Sequence, residues 1–201
     1  MEQDYRVSVP EGCAGDWRVS RFVIEKETPG VLYYALHGRP IEPGTYTRLT
    51  RGEGVWMSDT PAEVRNHLEP IYYAKYAPEG ARILINGLGL GVVLQAVLRN
   101  PNVAHVDVVE KAREVIDLVG PHYCTDPRVE IHHADAYEIS WPKGYGWYMA
   151  WHDIWKDVST DNLEGMGKLH RKYGKRVSWQ SSWQRHELRA LRSRKQRSGW
   201  W

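Results

Sequence analysis

Cysteine is almost absent from this 201-residue chain: Cys13 and Cys124 stand far apart, with no CxxC pair. That argues against a disulfide framework and suits a reducing, cytoplasmic setting. No apolar run reaches the ~18–20 residues that a bilayer-spanning helix needs, and no signal-peptide pattern opens the chain, so a membrane is not expected as partner. An excess of one charge is missing too: 27 Lys and Arg face 25 Asp and Glu, so composition demands neither nucleic acid nor an anionic surface. Phenylalanine occurs once, as Phe22, and there are no internal repeats. What is abundant is the polar-edged aromatic, with 10 Trp and 12 Tyr. Such rings suit half-buried positions and ligand stacking as well as a core.

Two patterns divide the chain. Residues 18–24, 31–36, 45–50 and 55–57 read as short strands, with turns at Thr28-Pro29-Gly30 and Gly52-Glu53-Gly54. This predicts a small antiparallel β extension over residues 1–60. Thr60 as N-cap, Pro61 in the first turn and Glu63 just after it then start a helix expected to run over 61–76. From residue 81 the pattern alternates. Strands are expected at 82–86, 104–110, 129–133 and 148–153, helices at 90–99, 111–119 and 161–173, and a possible fifth strand at 176–179. That alternation predicts an α/β domain over 61–185, a Rossmann-like doubly wound, mostly parallel sheet with its ligand at the C-terminal strand ends. A basic tail, 186–201, begins helix-like and ends in Trp200-Trp201.

The segment that carries most information is Ile83-Leu84-Ile85-Asn86 leading into Gly87, Gly89 and Gly91, followed at once by the helix-capable run from Val92. A strand, a glycine turn and a helix bring bare backbone up to a nucleotide-like ligand. Nineteen residues after Gly91, Glu110 closes the next apolar run, where a carboxylate can accept hydrogen bonds from two ribose hydroxyls. The dinucleotide fingerprint would need a third glycine at position 92, which is Val92 here.

The spacing G-x-G-x-G resembles the first motif of class I S-adenosylmethionine (SAM)-dependent methyltransferases, although Asn86 stands where an acidic residue is more usual. The resemblance covers residues ~81–180 and is closest to the spermidine-synthase-like branch, which also carries an N-terminal β unit and a helix before the first glycine strand. It implies SAM as cofactor, held by Asn86, Gly87, Gly89, Gly91 and Glu110, with Asp135 and Ala136 beside the adenine. A full sheet of that family has seven strands, so this chain resembles a version shortened at the C-terminal end of the sheet.

Trp151-His152-Asp153-Ile154-Trp155 ends the fourth expected strand of the domain, where such folds bind substrate. Asp153 matches the acidic catalytic position of spermidine-synthase-like relatives, and His152 is a second base candidate. Trp151, Trp155 and Asp157 are candidates for substrate contact through stacking, cation–π attraction or charge, with Asp161 nearby. The same stretch also reads as an aromatic core strand ending in a solvated acidic turn. His132 and His133 are adjacent on a strand and point to opposite faces, so they cannot easily share one ion, and no metal is expected.

These residues imply a SAM-dependent methyltransferase acting on a small-molecule amine or hydroxyl acceptor. The alternatives are an aminopropyltransferase of the polyamine-synthase kind, a non-catalytic SAM-binding module, and an RNA methyltransferase using the basic C-terminal region. A homodimer through the β extension and exposed tryptophans is a further expectation.

Overall fold

A computed structural model describes residues 5–25 and 42–198. The strand and turn expected over 28–36, and the terminal Trp200-Trp201, lie outside the described residues. Two sheets form. The first is antiparallel, in the order β1 (Gly12–Ala14), β2 (Trp17–Ile24), β3 (Gly44–Arg51) and β4 (Gly54–Ser58). Its alternation works as the period of a strand requires: Val19 lies opposite Leu49 and Leu49 opposite Met57, one buried apolar rung across three strands. The chain before β1 is tied to this sheet by Asp59, whose carboxylate accepts from the Val7 amide at 2.9 Å and the Thr47 amide at 2.6 Å. Asp59 is buried, and these bonds offset its desolvation.

The helix expected over 61–76 is broken in two, α1 (Pro61–Arg65) and α2 (Leu68–Lys75). Pro70 explains the break. Its ring collides with the carbonyl four residues back, that of Asn66, and it offers no N–H to that carbonyl. The chain turns at Asn66 and His67 and restarts, which swings the His67 ring into the interior, where it is 1% exposed.

The second sheet is wholly parallel, in the order β7 (Val129–His133), β6 (Val103–Glu110), β5 (Ala81–Asn86), β8 (Trp147–His152) and β9 (Val177–Ser182). Counted from β5, this is the 3-2-1-4-5 order of a doubly wound Rossmann-like sheet, and β5 is its switch point. Ile83, Ile85, Met149 and Trp151 face one core, under α2, α3 (Val92–Leu98) and α4 (Arg113–Tyr123). The antiparallel sheet shares this core through Val19, Leu49 and Met57. Leu84 and Ala150 face the other core, closed by Leu169 and Tyr173 of α5 (Asn162–Tyr173). No helix joins β7 to β8. An aromatic loop with Tyr137, Trp141 and Tyr145 covers that face instead.

The fifth strand is present, and α6 (Arg185–Ser198) follows it as a helix whose Leu188 is fully buried. Beyond Leu188 its surface is basic and exposed, from Arg189 to Arg197. No helix among the described residues is long and apolar enough to cross a membrane.

The helix expected over 111–119 continues through Gly120 and Pro121 to Tyr123. A proline near a helix end costs one backbone bond, and the extra turn carries Tyr123 under the glycine loop. There its hydroxyl donates to the Leu90 carbonyl at 3.0 Å. Gly91 sits at φ +76°, and a Cβ on it would come within 2.3 Å of the Tyr123 ring. Gly91→Ala should therefore cost about 2–4 kcal/mol, from left-handed strain plus overpacking. Urea unfolding measures it, and an unchanged midpoint would mean that Tyr123 moves aside freely.

Candidate active site

A cavity of about 630 Å³ opens at the C-terminal ends of β5, β6 and β8, roofed by the antiparallel sheet. That size suits a nucleoside-scale ligand. Gly87, Leu88 and Gly89 form one wall. Gly87 is required twice over: it sits at φ +100°, and a Cβ there would lie 2.0 Å from the Asp153 carbonyl oxygen. The glycine loop is thus shaped by close packing against β8 and Tyr123 as well as by any ligand.

Glu110 stands at the tip of β6 with its carboxylate already fixed. Oε2 accepts from the Leu88 amide at 2.9 Å and Oε1 from the Ala112 amide at 2.8 Å. A carboxylate has about four acceptor directions, so two remain for hydroxyl donors. Asp135 and Ala136 line the same cavity. Asp135 accepts from the Tyr137 amide at 2.8 Å and from the exposed Lys111 ammonium at 2.9 Å. Burial would raise its proton affinity, but Lys111 and the Tyr137 amide outweigh that and hold the carboxyl below its usual value. The donor set therefore suits an adenosine group: a ribose acceptor at Glu110, an amine acceptor at Asp135 with a small neighbour, and bare backbone at Gly87 and Gly89.

Asp153 lines the cavity beside Trp151, Ile154 and Trp155. Its Oδ2 lies 2.8 Å from His67 Nε2, and His67 Nδ1 lies 2.9 Å from the Glu63 carbonyl oxygen. A carbonyl only accepts, so Nδ1 carries a hydrogen and the Asp153 contact holds one shared proton. Burial opposes charge on the His67 ring, yet the Asp153 hydrogen bond and negative charge, aided by Glu63, raise its pKa above the usual imidazole value. Glu63 itself lines the cavity, with Ser58 Oγ 3.4 Å from its Oε2. Burial pushes the Glu63 carboxyl up, with Asp153 adding to it and His67 and Ser58 opposing. Two carboxylates thus face one space, an arrangement able to orient a cationic or hydroxylic group and to take its proton.

The remaining expected residues lie elsewhere. His152 is fully buried on the opposite face of β8 from Trp151 and does not line the cavity. Its Nδ1 lies 2.7 Å from Asn86 Nδ2 and its Nε2 3.1 Å from Gln180 Oε1. Burial first, then the nearby charges of His170 and Arg185, push its pKa down to about 3 despite Gln180. The expected base at His152 is corrected accordingly: a ring closed off from the cavity is out of a substrate's reach. Asn86 is also fully buried beneath the cavity and outside its lining, so direct contact with a cofactor is corrected to support of the strand end. Gly91 caps α3 rather than lining the cavity. Asp157 is exposed and outside the lining, and its carbonyl accepts from Asn162 Nδ2.

Sequence reading passed over Glu63 and His67 as site residues, along with the roof residues Trp17, Arg51 and Trp56. Pro70 was the available signal, since a broken helix turns His67 inward.

The His67–Asp153 contact has a direct readout. By NMR, His67 should titrate above the usual imidazole value, and in Asp153→Asn its pKa should drop, because the largest group opposing burial is gone and only Glu63 still favours the charge. Since the folded pKa is raised, the stabilisation is complete below about pH 6.5 and fades as pH climbs through the folded pKa. Asp153→Asn should therefore destabilise most near pH 6 and progressively less above it. A destabilisation that grows with pH would contradict the assigned proton.

No protein-family model matches the chain. In an alignment of 143 positions that covers 61% of this chain, it is 29% identical to a polyamine aminopropyltransferase of Prochlorococcus marinus, of which the match covers 48%. The chain thus spans about half the length of that curated relative. Among solved structures, the N-methyltransferase NodS from Bradyrhizobium japonicum aligns at a TM-score of 0.43, with 10% identity over 55% of this chain and 62% of that one. A coclaurine N-methyltransferase bound to N-methylheliamine and SAH aligns at a TM-score of 0.37, with 15% identity and 47% and 28% of the two chains covered. By its strand order the chain is a Rossmann-like α/β protein, and over part of its length it is similar in sequence to a polyamine aminopropyltransferase.

Proposed function

We propose that the chain is a SAM-dependent methyltransferase acting on a small-molecule amine or hydroxyl. The observation that carries this reading is Glu110, a β6-tip carboxylate held by two backbone amides at the mouth of a cavity walled by Gly87 and Gly89. Glu110 would hold the ribose hydroxyls, Asp135 and Ala136 the adenine edge, and Trp151 and Trp155 the walls around the reacting centre. Bound SAM supplies an electrophilic methyl group and a thioether leaving group. Asp153 would take the proton that the acceptor sheds, with Glu63 as the second carboxylate in reach. His67 sets the orientation and charge of Asp153 through Nε2.

A second reading is aminopropyl transfer from decarboxylated SAM, favoured by the sequence match to an aminopropyltransferase. It would use the same pocket, with Asp153 and Glu63 steering an amine.

Calorimetry with SAM, decarboxylated SAM and NAD separates the readings. SAM binding is expected, and binding of NAD alone would overturn the proposal. Glu110→Ala should weaken cofactor binding more than tenfold, since losing hydrogen bonds to a charged group costs on the order of 1.5–3 kcal/mol. Asp153→Asn should leave cofactor affinity within a few-fold while abolishing turnover. Full turnover in that variant would remove Asp153 from catalysis.

A further inference from the structure

The half of the parallel sheet remote from the cavity carries a second constellation. His105 and Asp107 alternate along β6, Glu130 and His132 along β7, and the register sets Asp107 beside Glu130. All four side chains therefore share one face of the sheet. None of them lines the cavity.

Their donor atoms converge. His105 Nε2 lies 3.2 Å from Asp107 Oδ1 and 3.6 Å from Glu130 Oε2. His132 Nε2 lies 2.9 Å from the same Asp107 oxygen, and its Nδ1 lies 3.8 Å from Glu130 Oε1. One ligand atom from each of His105, Asp107 and Glu130 falls within 4.8 Å of the other two. Tetrahedral coordination at bond lengths of about 2.0–2.2 Å sets donors about 3.3–3.6 Å apart, close to the 3.2 and 3.6 Å that His105 Nε2 already shows to the two carboxylates.

The surroundings orient the central ligand. Asp107 is 1% exposed, and its other oxygen, Oδ2, accepts from Trp147 Nε1 at 2.7 Å and the Tyr145 hydroxyl at 3.2 Å. Those bonds turn Oδ1 toward the two imidazoles, as outer hydrogen bonds do around metal-binding carboxylates. Arg82 Nη2 stands 3.7 Å from Oδ2. Glu130, with its side chain 58% exposed, leaves a route in from solvent.

We propose that His105, Asp107 and Glu130 bind a divalent transition-metal ion of the zinc class, with His132 as the adjacent fourth group. An imidazole beside two carboxylates, with a second imidazole adjacent, favours zinc or cobalt over magnesium or calcium, which prefer all-oxygen sites. The ion would pin the edge strand β7 to β6. The sequence reading takes both histidines as non-metal; the proposal departs from it for His132 alone, which would act with groups of the neighbouring strand.

The test uses the full chain, stripped with a chelator and titrated with zinc by calorimetry and with cobalt by absorption spectroscopy. One equivalent should bind, cobalt should give the visible bands of a tetrahedral nitrogen–oxygen site, and zinc should raise the melting temperature. His105→Ala and Glu130→Gln should each weaken zinc binding at least tenfold, whereas His133→Ala should leave it unchanged. Glu130→Gln alters an exposed side chain, so it stays informative if His105→Ala fails to fold. Absence of stoichiometric binding by the wild type, or equal affinity in the wild type and Glu130→Gln, would overturn the proposal.

Discussion

The arrangement depends on one close passage of backbone, where the end of β5 meets the end of β8. The Asp153 amide donates to the Asn86 carbonyl at 2.8 Å, and the Gly87 amide to the Val109 carbonyl at 2.8 Å. Three strand ends are thereby stitched together at the switch point of the sheet. Gly87 has no room for a side chain because the Asp153 carbonyl occupies that space. The same contact fixes where the Asp153 carboxylate emerges, within reach of His67. The glycine motif and the acidic loop, more than sixty residues apart in sequence, are therefore one structural unit.

Beneath that unit the polar groups form a neutral chain. Asn86 bonds His152, His152 bonds Gln180, and Gln180 Nε2 donates to the His170 carbonyl at 3.0 Å. This accounts for an amide at position 86. His152 is held neutral by burial, and an amide N–H at position 86 can donate to its Nδ1, which an ionised carboxylate cannot do. The departure from the acidic residue usual in the resembled family thus follows from the layer behind the loop.

The β5-to-β6 half of the fold was legible because each residue there obeys a local rule. Apolar strands, glycines at positive φ and a carboxylate at a strand tip are all short-range signals, and Glu110 ends β6 at the cavity. The errors came from facts that only tertiary structure supplies. His152 and Asp153 are neighbours in sequence, but strand alternation sends one into a closed core and the other to the cavity. His67 and Glu63 belong to a segment read as an ordinary helix, and their meeting with Asp153 is a contact across 86 residues. The aromatic roof over the cavity comes from the antiparallel unit, whose docking no periodicity reveals.

The charge around the cavity explains why those late-arriving residues matter. Glu63, Glu110, Glu114, Asp135 and Asp153 line it against Arg51, Lys111 and Lys156. Lys111 is engaged by Asp135, and the Lys156 ammonium sits 5.6 Å from the Trp56 ring centre. The surplus is negative and the walls are indole-rich. Such a space attracts a cation, through carboxylates and through the negative faces of the rings, and disfavours a pyrophosphate. The absence of a third dinucleotide glycine and the excess of carboxylates therefore point the same way, one through backbone shape and the other through electrostatics. Glu63 and Asp153, brought together by the break at Pro70, supply the part of that field nearest the buried His67.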